Sequence, residues 1–200
     1  MKHLKMLGLA VLAAMALMAV AGSASATVLC KEEKNPCGSA DYPAGTEFKA
    51  EEMPENTMLW KSQGKTIDEC SGSLTAGKTT NTGGLGSAVT VELSTFSWGT
   101  CSKSREIIKA GPLEIHYKHL GNSIGTVTLK ELEWKEGLCT FGHSNIDIGD
   151  ITKPETGKTY STLLIDALYP RISGFGCGET VTFAATFKIT IPTPLYVSES

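Results

Sequence analysis

The side chains with chemistry to offer are six cysteines, three histidines beyond residue 26, a scatter of acids and three tryptophans. Cys30, Cys37, Cys70, Cys101, Cys139 and Cys177 include no C-x-x-C pair. Structural zinc draws on closely spaced thiolates and imidazoles that converge, so no metal is expected at these dispersed sulfurs. An even set of spaced cysteines in an exported chain reads as disulfides. Sequence alone leaves their pairing open, and sequential nesting is the arrangement expected: Cys30–Cys37, Cys70–Cys101 and Cys139–Cys177. Each bridge contributes about 2–4 kcal/mol by restricting the unfolded chain.

The other groups fall short of a reaction centre. On a strand, residues three apart point to opposite faces, so His116 and His119 do not converge on one ion, and His143 stands alone. Asn145, Asp147 and Asp150 crowd oxygen atoms into one segment, but the register of a calcium loop is missing. Gly142-His143-Ser144-Asn145 lacks the second glycine and the following helix of a nucleophile elbow. Gly174-Phe175-Gly176-Cys177-Gly178 opens a strand rather than a helix, so it is no phosphate cradle; its glycines give Cys177 room to reach a partner. A glycosidase needs two carboxyl groups roughly 5–10 Å apart in a cleft, and Glu114, Glu131, Glu133, Asp147 and Asp150 show no recognisable pairing. Trp60, Trp98 and Trp134 are the ligand-contact candidates, as a sugar-stacking platform, against the alternative that they are core. No catalytic residue, cofactor or metal is expected.

The segment that precedes these groups fixes an address. Lys2 and Lys5 are followed by an uncharged apolar run from Leu7 to Val20 and then by Ala24-Ser25-Ala26. That is the build of a secretory signal peptide, and the run is shorter than the roughly 20 residues a spanning helix needs. Cleavage is expected after Ala26, with residues 27–200 forming one domain. Lipidation at Cys30 is not expected, because Leu29 rather than a small residue precedes it. Without Lys2 and Lys5 the 18 basic residues become 16 against 21 acids, a net charge of −5. With no run of like charge, nucleic acid and membrane are not expected as partners, and the protein is expected to be secreted, outside the cell or in its wall, or into the periplasm if the host is Gram-negative.

The elements that must position these groups are strands. Thr180 to Ile191 alternates strictly, with Val181, Phe183, Ala185, Phe187, Ile189 and Ile191 on one face. Val89, Val91 and Leu93 form a second such face, and the change of phase at Phe96 and Trp98 predicts a bulge or a switch of sheet near Thr95. Gly121-Asn122 and Gln63-Gly64 read as two-residue hairpin turns. Arg105 to Ala110 is expected to be a strand, Leu195 to Val197 a short edge strand, and the apolar run Tyr160 to Tyr169 a strand buried on both sides or lying at the sandwich centre. Short strands with glycine at the turns predict an all-β fold, an antiparallel β-sandwich of two packed sheets, with a barrel as second choice.

The start Ala26-Thr27-Val28-Leu29-Cys30-Lys31, the strand Leu113-Glu114-Ile115-His116 and the ending Pro192-Thr193-Pro194-Leu195-Tyr196-Val197 together carry a resemblance. The chain resembles, from signal peptide to C-terminus and in its six cysteines, a group of uncharacterised secreted proteins found in many copies in certain soil actinobacteria. The resemblance implies an extracellular or cell-wall setting in a Gram-positive-type organism and brings no activity, cofactor or site residue with it. Three functions are therefore entertained, in this order: a non-catalytic binding domain that engages envelope or cell-surface molecules, an envelope polysaccharide-binding or polysaccharide-acting protein, and a secreted inhibitor or toxin-like domain presenting a loop near Asp41-Tyr42-Pro43.

Overall fold

The computed structural model describes residues 26–200; the expected signal segment, residues 1–25, lies outside the described residues. Fourteen strands and no helix are found there: β1 (Val28–Cys30), β2 (Glu47–Glu52), β3 (Met58–Ser62), β4 (Lys65–Ser71), β5 (Leu74–Thr79), β6 (Val89–Ser97), β7 (Thr100–Cys101), β8 (Glu106–Ala110), β9 (Leu113–Leu120), β10 (Ser123–Glu136), β11 (Cys139–Thr152), β12 (Thr162–Ser173), β13 (Thr180–Ile191) and β14 (Tyr196–Ser198).

Eight of them close into an antiparallel ring in the order β12-β11-β10-β9-β6-β5-β2-β13, with β13 pairing back onto β12. The expected sandwich therefore gives way to the barrel that stood second. The reason is β13, whose two edges are both used: Thr162 to Pro170 lie along one, and β2 and then β3 along the other. A sandwich leaves edge strands, whereas closure removes them. The lumen is filled by side chains, as expected for eight strands; Met58, Trp98, Leu113, Ile148 and Phe187 border a residual gap of about 20 Å³.

Alternation along the strands sets what faces inward. Val181, Phe183, Ala185, Phe187 and Ile189 of β13 are buried, while Ile191 is partly exposed. In β6, Val89 and Val91 point inward. The register slips opposite Ala76/Gly77, so that Thr95 and Leu93 are consecutive partners, and Trp98 then turns inward in the opposite phase. The run expected to be buried on both faces is not: β12 buries Leu163, Ile165, Ala167 and Tyr169 but leaves Leu164, Leu168 and Ile172 exposed. One wall of a barrel has one inside, so a continuous apolar run must show half of itself to solvent.

The two ends of the barrel are built differently. At one end the ribbon of β1 and β14 lies against β9 and β10, and Thr27 accepts a hydrogen bond from the backbone N–H of Tyr117 (2.9 Å). At the other end β9 and β2 stop short, and the wall is continued by β8 on β10 and by β3, β4 and β7 on β13. No ladder joins β7 to β8, so this second closure depends on side chains.

Candidate functional site

The side chains that close the second end are charged and buried. Arg105, just before β8, sets its guanidinium between Asp68 of β4 (2.6 Å) and Glu136 at the end of β10 (2.8 Å), and over the ring of Trp60 (4.1 Å). Asp68 also accepts the Ser102 hydroxyl and the backbone N–H groups of Ser102 (3.2 Å), Lys103 (3.0 Å) and Glu69 (2.9 Å). Burial disfavours the charge on Asp68, but the hydrogen bonds from Ser102, Arg105 and the backbone outweigh it and hold its carboxyl well below the usual carboxylate range. With every lone pair engaged, this carboxylate is a structural tie rather than an acid or base. The Cys70–Cys101 disulfide joins β4 to β7 beside it, and the Trp60 indole N–H donates to Cys70 Sγ (3.1 Å).

The three tryptophans form the interior of this end and not a platform. Trp60, Trp98 and Trp134 are buried and meet edge-to-face at 4.8–5.9 Å, with Phe183 and Tyr169 among them. This corrects the ligand-contact assignment of Trp60, Trp98 and Trp134: inward positions in a closed barrel need large apolar volume, and these residues supply it. Burial also raises the Tyr169 phenol far above its ordinary value, which keeps it neutral.

On this foundation stand two exposed loops. The β10–β11 turn is Gly137-Leu138, one residue beyond Glu136, and the β12–β13 connection contains Gly174-Phe175-Gly176-Cys177. The Cys139–Cys177 disulfide ties one to the other. Gly174 (φ +104°) lies so close to the turn that a Cβ there would meet Cys139 Cα at 2.7 Å, so glycine is required. Arg171 donates to the Cys177 carbonyl (2.6 Å) and braces the loop from below. The result is a raised apolar tip: Phe175 is 93% exposed, Leu138 82% and Ile172 57%.

Charge around this tip is distributed unlike charge elsewhere. Of the 16 lysines and arginines among the described residues, 11 lie within 4.0 Å of a carboxylate. The five that do not are Lys31, Lys61, Lys65, Lys135 and Arg171. Lys31 lies over the Tyr42 ring at the far end. The other four belong to the tip end. Lys135 is on β10 next to the turn, Arg171 is beneath the disulfide loop, and Lys61 and Lys65 flank the Gln63-Gly64 turn, where the Ser62 hydroxyl reaches the Thr180 carbonyl (3.3 Å).

The remaining sequence candidates stay apart. His116 pairs with Glu114 (3.5 Å), His143 contacts the Ser144 carbonyl (2.6 Å), and His119 is exposed on β9. Asp147 accepts from Thr128 (2.5 Å) and Asp150 from Lys118 (3.1 Å), so neither is aimed at a shared ion. Glu114 and Glu131 pair with Lys130 and Lys109 on the outer wall. Asp41 accepts the Lys31 backbone N–H (2.9 Å), and Tyr42 donates to the Pro194 carbonyl (2.5 Å), which fastens that loop down.

The sulfurs join as Cys30–Cys37, Cys70–Cys101 and Cys139–Cys177, the pairs of the sequential arrangement. Sequence reasoning missed Leu138 and Phe175. The signal was present: a phenylalanine between two glycines has no strand neighbour to pack on, and a leucine after a turn glycine sits at a loop apex. No family model, no curated protein and no solved structure matches this chain.

Proposed function

We propose that the protein is exported, processed after Ala26, and works outside the cell as a non-catalytic binding domain that meets its partner through the Leu138–Phe175 tip. One observation carries this reading: the apolar side chains of Leu138 and Phe175 are almost fully exposed at turns that a disulfide ties together. Burying either would gain about 1.5–3 kcal/mol, and a rigid loop loses little entropy on docking. Three disulfides fit an oxidising compartment. The polysaccharide reading loses its stacking residues, since all three tryptophans are interior.

The test is retention on Gram-positive cell envelopes. The protein should sediment with them, and a Leu138→Ser, Phe175→Ser double variant of unchanged thermal stability should stay in solution. Equal retention of both proteins overturns the reading. A second reading draws on the same loop, because a disulfide-tied segment presenting Phe175 has the form of a protease-directed bait. Inhibition of a chymotrypsin-type protease that disappears in Phe175→Ser would move the assignment to a secreted inhibitor.

A further inference from the structure

We infer that the partner of the tip is an anionic lipid surface. The inference rests on the binding-domain reading and goes further in naming what is bound. Apolar protrusions and cations without a carboxylate partner share this end of the barrel.

The shape of the apolar part comes first. Leu138 and Phe175 stand on loop apices rather than in a groove, with Ile172 behind them on the outer face of β12. A convex pair of side chains finds little to cover it on another rigid convex surface. A bilayer interface deforms around such a pair and takes its apolar area a few ångströms below the headgroups.

The charges then choose the kind of interface. Eleven of the sixteen cations are neutralised by carboxylates in the fold, and four of the five that are not surround this tip. Lys65 and Lys135 are exposed, Lys61 is partly so, and Arg171 lies beneath the loop. Of the carboxylates at this end, Glu136 is held by Arg105 and Lys103. Glu179 and Glu106, the latter opposite Lys135 across β8 and β10, are exposed outside any ion pair among the described residues and offset part of the positive charge. On a chain of net negative charge, four of the five lysines and arginines without a carboxylate partner therefore gather at one end. Lysines that flank inserted apolar residues sit at the depth of lipid phosphates, where an anionic leaflet attracts them. Even mixing along the sequence hides this, because Lys61, Lys65, Lys135 and Arg171 come from three separate hairpins that the barrel brings to one end.

The experiment is sedimentation of the disulfide-intact protein with vesicles of phosphatidylglycerol and phosphatidylcholine, and with phosphatidylcholine alone. Delipidated cell envelope forms a parallel arm. The expected result is binding to the anionic vesicles, weakened by salt and at least tenfold weaker to phosphatidylcholine. Leu138→Ser with Phe175→Ser should abolish it, and each of Lys61→Gln, Lys65→Gln and Lys135→Gln should weaken it about fivefold. All of these positions are on the surface, and an unchanged thermal midpoint establishes that the variants fold. Vesicle binding that ignores the tip substitutions overturns the inference. Absence of vesicle binding together with tip-dependent retention on delipidated envelope also overturns it, assigns a protein or wall-polymer partner and leaves the binding-domain reading standing. No tip-dependent retention in either arm removes both.

Discussion

The two ends of this barrel use the same kinds of residue for different purposes. At the end covered by β1 and β14, lysines are spent on the fold: Lys118 holds Asp150, Lys153 holds Glu33 and Lys158 holds Glu155. Leucines are exposed there too, Leu85 and Leu120, but on separate loops among neutralised charges. At the opposite end carboxylates hold the buried Arg105, Lys103 beside it and Lys109 on the outer face of β8. The cations around the apex keep their charge available, and the exposed apolar residues are clamped together by a disulfide. A single exposed leucine is ordinary on a soluble protein. The difference lies in the combination of rigid presentation and unspent charge. The Cys139–Cys177 bridge sits directly under Leu138 and Phe175, two of the three most exposed large apolar side chains among the described residues.

The largest effect comes from removing what supports the second end. Asp68→Ala leaves Arg105 buried without its closest counter-ion, and breaking such a pair costs about 3–5 kcal/mol. The thermal midpoint should fall by about 10 °C in a scanning calorimeter. A fall below about 3 °C would mean that the ladder alone holds β4 and β8 together. Next is the clamp. Cys139→Ser with Cys177→Ser should lower stability by about 2–4 kcal/mol and weaken tip-dependent binding although Leu138 and Phe175 are intact. Undiminished binding would show that presentation does not need the bridge.

Acid probes the same contrast without a core mutation. The native carboxyl of Asp68 titrates below its unfolded value, so its stabilisation is complete above about pH 4 and is lost as pH falls further. Unfolding free energy should therefore drop below about pH 4, and Asp68→Asn, less stable at neutral pH, should show a shallower drop. Parallel pH profiles would place the acid sensitivity elsewhere. The smallest effect on stability belongs to the tip itself. Phe175→Ser should shift the midpoint by no more than about 0.5 kcal/mol equivalent while removing binding, and a large loss of stability would reassign Phe175 to packing.

Much of the wall was legible. Alternation from Val181 to Ile189 names the inner face of β13, and the phase change at Phe96 and Trp98 locates the bulge of β6. The turns at Gln63-Gly64 and Gly121-Asn122 fall where the strands break. Closure was not legible, because a two-residue period reports which face is buried and not whether both edges of β13 are paired. The same limit misplaced β12, whose outer leucines look like core in sequence. Asp68 and Arg105 are too far apart in the chain for any local pattern to join them. The tip was hidden for a different reason. Glycines on both sides of Phe175 signal room for Cys177 and by themselves carry no sign of where the phenylalanine points.

The central claim is that Phe175 enters the partner. Because Trp60, Trp98 and Trp134 are all buried, a Phe175→Trp variant adds one exposed indole whose emission is separable from theirs. With phosphatidylglycerol-containing vesicles the account predicts a blue shift of that added emission and protection from acrylamide quenching, with the native three unchanged. Emission that stays at long wavelength and fully quenchable while the protein is bound would contradict it.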